Sequence, residues 1–377
     1  MASVENIYNA FVSNGVEFFT GVPDSLLKSI CSYITDHTSK ENNIIASNEG
    51  AAIGIAVGYY LATGKIPLVY MQNSGIGNAT NPLLSLADEK VYSIPLLLMI
   101  GWRGEPNTKD EPQHKKQGEV TIDLLDAMKI PYIVLLDNDQ DALLQINDIV
   151  KKSIRDSKPY AILIKKGIFE NYDLIDKKCN NFPLSREEAL QIIVDHISKN
   201  DIIISTTGKL SRELFEYREL LKDNHAQDFL TVGSMGHSSS IAFGIAIKKK
   251  NRTVYCLDGD GAFIMHMGAI TNTGVASPVN FKHILFNNGA HESVGVQPTL
   301  GFDINIPSIA LASGYKKAIS VDTKEKLAAA MKKIINEEGP LLLEIKVNTE
   351  SRKDLGRPTM STIDNKDIFM NFILNDK

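Results

Sequence analysis

The stretch Leu257-Asp258-Gly259-Asp260-Gly261-Ala262 decides how the second half of this chain folds. It closes a short apolar run, residues 252–257, whose composition is typical of a β-strand. After it, Phe263, Met267 and Ile270 recur at the spacing of one helix face. This order predicts a strand, a tight glycine turn and a helix.

A second apolar run, residues 281–286, ends at Asn287-Asn288, where another strand is expected to finish. Parallel strands place the residues that follow them in one crevice at the edge of the sheet. Asp260 and an asparagine there could share a hard cation, and Mg²⁺ prefers such oxygen ligands together with phosphate oxygens. The glycines beside Asp260 let a diphosphate approach the backbone, and the next helix offers its amide-rich N-terminus. The stretch therefore predicts a metal-diphosphate site.

Length and composition limit the class of protein. The chain has 377 residues, enough for two domains with a core each, and its 43% hydrophobic and 23% charged residues are typical of soluble globular proteins. A formal net charge of −5 argues against a nucleic-acid partner. We expect no signal peptide at the N-terminus, and the apolar run at residues 94–100 is too short to span a bilayer. With three widely spaced cysteines, Cys31, Cys179 and Cys256, these features predict a cytoplasmic protein that does not act at a membrane.

Several turns in the first half follow predicted strands and are expected at the same edge of one sheet. The turn at residues 21–25 carries Asp24 and Ser25, which we expect to contact substrate. The polar, glycine-rich turn at residues 72–78 predicts a cofactor or substrate contact, with Asn73 as the candidate. Glu49 stands at the start of a helix rich in glycine and alanine, and such small residues predict close packing at an interface between domains or subunits.

The segment at residues 101–118 is predicted to be a long polar loop, and it carries the only tryptophan, Trp102. Its length and polarity predict a lid over a binding site. The same segment holds Arg103, His114 and two lysines, which could supply positive charge to an anionic ligand. Arg103 is the strongest candidate because it follows a predicted strand and is flanked by Gly101 and Gly104.

Polar residues without periodicity at 171–183 separate two halves in which strands and helices alternate. The predicted fold class is α/β, with doubly wound parallel-sheet domains at residues 1–170 and 184–377 and no third domain between them. The halves look duplicated in architecture, although no close sequence repeat is visible. In the second half, turns at residues 206–209 and 232–240 can present amides to phosphate, although the first lacks the spacing of a nucleotide P-loop.

Two motifs closely resemble those of thiamin diphosphate enzymes. The Gly-Asp-Gly at residues 259–261, the helix and strand after it, and the Asn-Asn at residues 287–288 match the diphosphate signature of that family. The string Asn-Glu-Gly-Ala-Ala-Ile-Gly-Ile-Ala at residues 48–56 resembles the pyrimidine-binding half. The resemblance covers nearly the whole chain and implies a pyrimidine-binding domain followed by a diphosphate-binding domain. It also implies a homo-oligomer of at least two chains, since the family binds its cofactor between subunits.

The resemblance further implies roles for individual residues. Glu49 would hydrogen-bond the aminopyrimidine ring, and Met235 would support the bent shape of the cofactor. Asp260 would bind Mg²⁺ with Asn288 and the carbonyl of Ala290, which the family pattern favours, or with Asn287, which the spacing from Asp260 favours; we favour Asn288. The residues expected to contact the cofactor are Glu49, Asn73, Thr207, Gly233, Ser234, Met235, Gly259, Asp260, Gly261, Ala262 and Asn288.

The compact two-domain arrangement resembles the branch of the family that decarboxylates 3-phosphonopyruvate to phosphonoacetaldehyde and CO₂ in phosphonate biosynthesis. That reaction is the expected function, with Arg103 and His114 binding the anion and with His114 or His291 as the acid that protonates the product carbon. The alternatives are decarboxylation of sulfopyruvate, carboligation to acetolactate-like products, and a non-catalytic binding module. An intact Glu49 argues against the last of these, because binding alone would not require it.

Overall fold

The computed structural model describes residues 1–175 and 180–375, which form two compact units. The first unit comprises Met1–Lys177 with His291–Gln297, and the second comprises Lys178–Ala290 with Pro298–Lys377. The division falls within the predicted linker at residues 171–183. Residues 176–179 of that linker, including Cys179, lie outside the described residues.

The first unit contains six strands that form one parallel sheet and six α-helices that accompany it. The strands are β1 Phe19–Gly21, β2 Asn43–Ile45, β3 Leu68–Gln72, β4 Leu97–Gly101, β5 Tyr132–Val134 and β6 Tyr160–Ile164. The helices are α1 Val4–Ser13, α2 Lys28–His37, α3 Glu49–Thr63, α4 Ile76–Pro82, α5 Pro112–Ala127 and α6 Asp139–Asp156.

The second unit contains a six-stranded parallel sheet of its own. Its strands are β7 Ile202–Ser205, β8 Asp228–Leu230, β9 Val254–Gly259, β10 Phe281–Asn287, β13 Lys317–Val321 and β14 Leu341–Lys346. The short strands β11 Ala290–His291 and β12 Gln297–Pro298 pair with each other, and each crosses a boundary of the second unit. The helices are α7 Arg186–His196, α8 Lys209–Leu221, α9 Ser238–Ala246, α10 Asp260–Met265, α11 Ile270–Ala276, α12 Ile306–Ala312, α13 Lys324–Ile334 and α14 Thr362–Leu374.

The strand orders of the two sheets are the same. The first sheet runs β2-β1-β3-β4-β6-β5, and the second, read in the matching direction, runs β8-β7-β9-β10-β14-β13. In both sheets the first, third and fourth strands of the unit lie side by side near the centre. The predicted fold class and the predicted duplication of the architecture are therefore confirmed.

Alternate residues of the strands bury their side chains on opposite faces of each sheet. In β3, Leu68 and Tyr70 belong to one apolar cluster, and Val69 and Met71 belong to another. In the second sheet, Leu341 and Leu343 of β14 belong to one cluster, whereas Leu342 belongs to the other. A parallel sheet covered on both faces in this way requires strands that are apolar throughout.

Capping side chains fix the beginnings of several helices. Ser3 accepts a hydrogen bond from the N–H of Asn6 and so caps the start of α1. Ser185 and Glu188 form a capping box at the start of α7. Asn48 caps α3, so the residue that follows it, Glu49, is placed in the first turn of the helix.

The structure differs from the sequence predictions at the segment 101–118. Its last seven residues are helical, because Pro112 occupies the first turn of α5, where its missing N–H costs nothing. Trp102 is buried and donates a hydrogen bond of 3.0 Å to the carbonyl of Gly118. The predicted substrate loop is therefore confined to residues 102–111, with the buried Trp102 at one end and the start of α5 at the other.

A further difference concerns the second half. Residues 291–297 pack with the first unit, since Gln297 is hydrogen-bonded to Ser32 and Thr35 there, so the predicted domain 184–377 is interrupted. The helix α14 follows the last strand of the second sheet. None of the helices in the described ranges, 1–175 and 180–375, has the length and apolar character to cross a membrane.

Candidate active site

Glu49 is buried at the start of α3. Its side chain is only 5% exposed, and its Oε2 accepts a hydrogen bond of 2.7 Å from the Nδ2 of Asn78 in α4. The cap from Asn48 to the N–H of Ala51, at 2.9 Å, fixes the direction in which α3 begins. A carboxylate held by a neutral amide keeps an oxygen that can exchange a proton with a ring nitrogen.

Gly75 makes room for the Glu49 carboxylate. A Cβ atom at position 75 would lie 2.5 Å from the Cγ of Glu49 and 2.6 Å from its Cδ, which is closer than real atoms approach. Gly75 precedes α4 with φ −71° and ψ −14°, a conformation open to any residue. Glycine is therefore required at this position for space and not for backbone freedom.

Asp24, Ser25 and Arg103 lie together at the carboxyl ends of β1 and β4. The Nη1 of Arg103 donates a hydrogen bond of 2.7 Å to the hydroxyl oxygen of Ser25. Asp24 is buried; its Oδ2 accepts from the N–H of Leu26 over 2.8 Å, and its Oδ1 has no partner among the described residues. Burial raises the pKa of Asp24 to about 6, although the N–H of Leu26 and the charge of Arg103 oppose the shift. The structure thus brings together three of the four predicted substrate residues.

Arg103 also forms a bidentate ion pair that the sequence did not indicate. Its Nε and Nη2 donate to the two carboxylate oxygens of Asp110, at 2.8 and 2.5 Å. The N–H of Gly104 donates to the same carboxylate at 2.8 Å. These contacts lower the pKa of Asp110 and raise that of Arg103, so both groups are charged at neutral pH.

Asn73 forms its hydrogen bonds inside the fold, and its predicted contact with the cofactor stays a prediction. It is 1% exposed, and its Nδ2 donates to the carbonyl of Arg103 at 2.8 Å and to the hydroxyl of Thr121 at 2.9 Å. Its Oδ1 accepts from the N–H of Arg103 over 3.3 Å. Both ends of the amide are thus committed inside the fold, where they hold the backbone of Arg103 in place.

His114, the fourth predicted substrate residue, lies in the first turn of α5. It is 9% exposed, and its Nδ1 has no hydrogen-bond partner among the described residues. Burial and the nearby charge of Arg103 lower its pKa to about 4. His114 is therefore a neutral imidazole at pH 7, which weighs against an imidazolium at the anion, and its contact with substrate stays a prediction.

Asp260 is the first residue of α10 and is 4% exposed. Its Oδ2 accepts a hydrogen bond from the hydroxyl of Thr299, and the N–H of Asn288 also donates to the carboxylate. Burial raises the pKa of Asp260 to about 6, and only hydrogen bonds act in the opposite direction. A buried carboxylate that forms no ion pair with a described lysine or arginine suits a bound metal cation.

Asn287 is fully buried and engaged on all sides. Its Nδ2 donates to the carbonyl of Gly301 and to the Oε1 of Glu344, both at 2.7 Å, and its Oδ1 accepts from the N–H of Gly289 over 3.1 Å. A Cβ atom at Gly301 would lie 2.5 Å from that Oδ1 and 2.6 Å from the Oδ2 of Asp260. The two oxygens therefore face the same small space.

Asn288 is less engaged than Asn287. Its Oδ1 accepts one hydrogen bond, of 3.0 Å, from the N–H of Ala290, so the two residues form a tight turn directly after β10. The carbonyl of Asn288 accepts from Asn180 over 3.0 Å, which anchors the turn in the second unit. Asp260, Asn287, Asn288 and Ala290 are thus brought together, and their oxygens are the hard donors that Mg²⁺ prefers.

The predicted diphosphate turns lie at the carboxyl ends of β7, β8 and β9. Thr207 precedes Gly208, which has φ +104° and stands before α8. Gly233 and Met235 flank Ser234, which has φ +52°. Among the described residues, none beyond the chain neighbours has an atom within 4 Å of the Cβ position at Gly208 or at Gly259, so the backbone at both is open to a ligand. Gly261 and Ala262 form the first turn of α10.

His291 lies in β11, directly after Ala290. Burial lowers its pKa to about 4, so it is also a neutral imidazole at pH 7. A neutral imidazole is a weak acid, which weighs against both His114 and His291 as the proton donor predicted from the sequence.

Sequence reasoning missed the residues that hold these groups in place. They are Gly75, Asn78, Asp110, Thr299, Gly301 and Glu344. Asn78 and Gly75 fall inside the turn at residues 72–78 that was singled out, so a reading of the whole turn could have found them. Glu344 gave one signal, a charged residue within an otherwise apolar strand.

Comparison with known proteins identifies the class. The N-terminal TPP binding domain of thiamine pyrophosphate enzymes matches residues 1–130, and the C-terminal TPP binding domain matches residues 206–345. The chain belongs to the family of thiamine pyrophosphate (thiamin diphosphate) enzymes.

Within that family, the chain is similar to decarboxylases of substituted pyruvates. It is 30% identical over 375 residues to phosphonopyruvate decarboxylase from Streptomyces hygroscopicus, and the aligned region covers 95% of this chain and 90% of the relative. It is 29% identical to phosphonopyruvate decarboxylase from Streptomyces viridochromogenes, over 92% of this chain and 89% of the relative. Sulfopyruvate decarboxylase from Methanosarcina acetivorans is 25% identical over 87% of both chains.

Proposed function

We propose that this chain is a carboxy-lyase that converts 3-phosphonopyruvate into phosphonoacetaldehyde and CO₂. The observation that carries the proposal is the likeness along nearly the whole chain to phosphonopyruvate decarboxylase, at 30% identity. A cluster that contains Arg103 and Ser25 supports an anionic substrate, because a guanidinium and a hydroxyl are suitable donors to an oxyanion. The proposed reaction belongs to phosphonate biosynthesis.

Thiamin diphosphate, when bound, supplies the carbon nucleophile for the keto group and the electron sink for the electrons released with CO₂. The proposed part of Glu49 is to hold and exchange a proton at the aminopyrimidine ring, and its burial and its bond to Asn78 support this. Met235 is proposed to support the bent shape of the cofactor. The open backbone at Gly208 and Gly259 supports a diphosphate site in the second unit.

Mg²⁺ is proposed to bind Asp260, Asn288 and the carbonyl of Ala290. The burial of Asp260 without a cationic partner supports a cation at this place. We favour Asn288 over Asn287 as the ligand because Asn287 is already engaged by three groups of the fold, and this supports a positioning role for it.

A homo-oligomer of at least two chains is proposed as the active form, and a cytoplasmic location completes the proposal. Gly54 and Gly58 of α3 are exposed, and outside α3 no described residue has an atom within 4 Å of the Cβ position at either, which leaves that helix face open to close packing. The free, buried thiols of Cys31 and Cys256 are compatible with a reducing compartment.

The test is an assay of aldehyde release with the purified protein, thiamin diphosphate and Mg²⁺. Phosphonopyruvate, sulfopyruvate and pyruvate are compared, and we expect the highest kcat/KM for phosphonopyruvate. Glu49→Gln should lower kcat by about a hundredfold or more, since it removes the proton-exchanging group. Faster turnover of sulfopyruvate would support the second candidate, which the similarity to sulfopyruvate decarboxylase favours. An acetolactate-like product would instead indicate a carboligase.

A further inference from the structure

Arg103 is held in one orientation from several directions. Asp110 binds its Nε and Nη2, Ser25 accepts from its Nη1, and Asn73 holds both its N–H and its carbonyl. The side chains of Arg103 and Asp110 are 19% and 14% exposed, so the pair is shielded from water on most sides. Long arginine side chains at a protein surface are rarely restrained to this extent, because an exposed ion pair contributes little.

The guanidinium keeps part of its binding capacity in this arrangement. It has five N–H donors, of which two bind Asp110 and one binds Ser25. One donor is left on each terminal nitrogen, and two such donors match two oxygens of a tetrahedral oxyanion. Ser25 accepts its bond from Arg103, so its own O–H is available to the same anion.

We propose that Asp110 is a positioning residue, which orients the guanidinium of Arg103 so that its remaining donors and the Ser25 hydroxyl bind the oxyanion group of the substrate. The inference rests on the proposed function. In this arrangement Asp110 neutralises the charge of Arg103 and fixes the direction in which the guanidinium points. Selection of the substrate then depends on the geometry of the donors and not on an excess of positive charge.

A purely structural use of Asp110 is the alternative. Its carboxylate also accepts from the N–H groups of Gly104 and Glu111, so it shapes the loop that leads into α5. If that were its whole function, loss of the charge would alter stability and leave the affinity for an anion unchanged.

The experiment compares the full-length wild type with Asp110→Asn, Asp110→Glu and a matched control, Asp156→Asn. Asp156 forms the same bidentate pair with Arg155 at the exposed end of α6, at 2.6 and 3.0 Å. For each protein, KM and kcat are measured with phosphonopyruvate, and the dissociation constant of 3-phosphonopropionate, which has no keto group to react, is measured by calorimetry. Thermal melting shows whether each variant is folded.

Asp110→Asn should raise both KM and the dissociation constant about tenfold, with kcat within about threefold of wild type. Asp110→Glu keeps the charge on a longer side chain and should raise KM and the dissociation constant by about threefold. This variant tests the proposal if the asparagine variant does not fold. Asp156→Asn should leave both constants unchanged. In an Arg103→Lys background, which already lacks the bidentate fork, adding Asp110→Asn should change the dissociation constant by less than about twofold.

The inference is overturned if 3-phosphonopropionate binds Asp110→Asn as tightly as wild type or more tightly, or if the effects of the Arg103 and Asp110 substitutions add in full. Failure of wild type to bind the analogue overturns it as well. If wild type binds the analogue with the expected dependence on Asp110 but turns over none of the three keto acids, the proposed reaction fails and the positioning role stands.

Discussion

Replacing Gly75 with alanine displaces the Glu49 carboxylate without changing Glu49 itself. The new methyl group would lie 2.5 and 2.6 Å from the Cγ and Cδ of Glu49, whereas carbon atoms pack favourably at about 3.5–4.0 Å. Glu49 must therefore retreat by about 1 Å, and it has little freedom to do so because it is buried and bound to Asn78. The backbone at position 75 accepts alanine without strain, so the effect is steric.

A misplacement of about 1 Å in a catalytic group costs about a hundredfold in rate. Gly75→Ala should therefore lower kcat by about that factor, and overpacking should lower the free energy of unfolding by about 1–3 kcal/mol. The assay is aldehyde release at saturating thiamin diphosphate and Mg²⁺, together with chemical denaturation of the same preparation. A loss of kcat in a folded variant would indicate that the position of Glu49 matters.

Gly77→Ala is the matched control. Gly77 lies in α4 two residues further along, and no atom lies within 4 Å of its Cβ position. It should keep wild-type kcat and gain up to about 1 kcal/mol in stability from the higher helix propensity of alanine. If Gly75→Ala retained full activity, or if both variants lost it equally, the reasoning that Gly75 makes room for a catalytic Glu49 would be refuted.

Two further changes test other parts of the molecule. The side chain of Glu344 accepts hydrogen bonds from Asn287 and Ser320, and Glu344→Gln keeps its shape but removes its buried negative charge. The dissociation constant of Mg²⁺ in the presence of thiamin diphosphate should therefore rise about tenfold. An unchanged constant would show that the charge does not support the metal site. Lys282 is 2% exposed, and burial lowers its pKa to about 8. The unfolded chain then binds more protons than the folded chain between pH 8 and about 10.5, so this lysine destabilises the fold fully below pH 8 and progressively less up to pH 10.5. Lys282→Met should stabilise the protein by about 1–3 kcal/mol at pH 7, with a gain that shrinks towards pH 10.5 in denaturation measurements; a gain independent of pH would contradict this account.

Prediction succeeded where a residue's position follows from the strand it ends. Asp260 comes after β9 and Asn287 ends β10, and neighbouring parallel strands bring such residues to one edge whatever the side chains around them. In the first unit, Asp24 and Arg103 lie close together because they follow β1 and β4, which flank β3. The predicted roles of these residues stay proposals.

Prediction did not reach the hydrogen-bond partners that a side chain finds far along the chain, nor the effect of burial on its pKa. Asn73 was expected to face a cofactor, but Thr121 and the backbone of Arg103 occupy its amide. His114 was expected to be a cation, but burial lowers its pKa to about 4. No spacing rule could show that Asp110 would reach back to Arg103.

The sequence by itself determined the alternation of strands and helices, the duplication into two parallel-sheet units and the edge of each sheet where the functional residues gather. These features depend on local periodicity, on glycine turns and on short motifs, all of which are properties of neighbouring residues. Only the tertiary structure decided which polar groups are free to bind a ligand and which are consumed in holding others. That distinction depends on burial and on hydrogen bonds between residues such as Glu344 and Asn287, which are 57 positions apart in the chain.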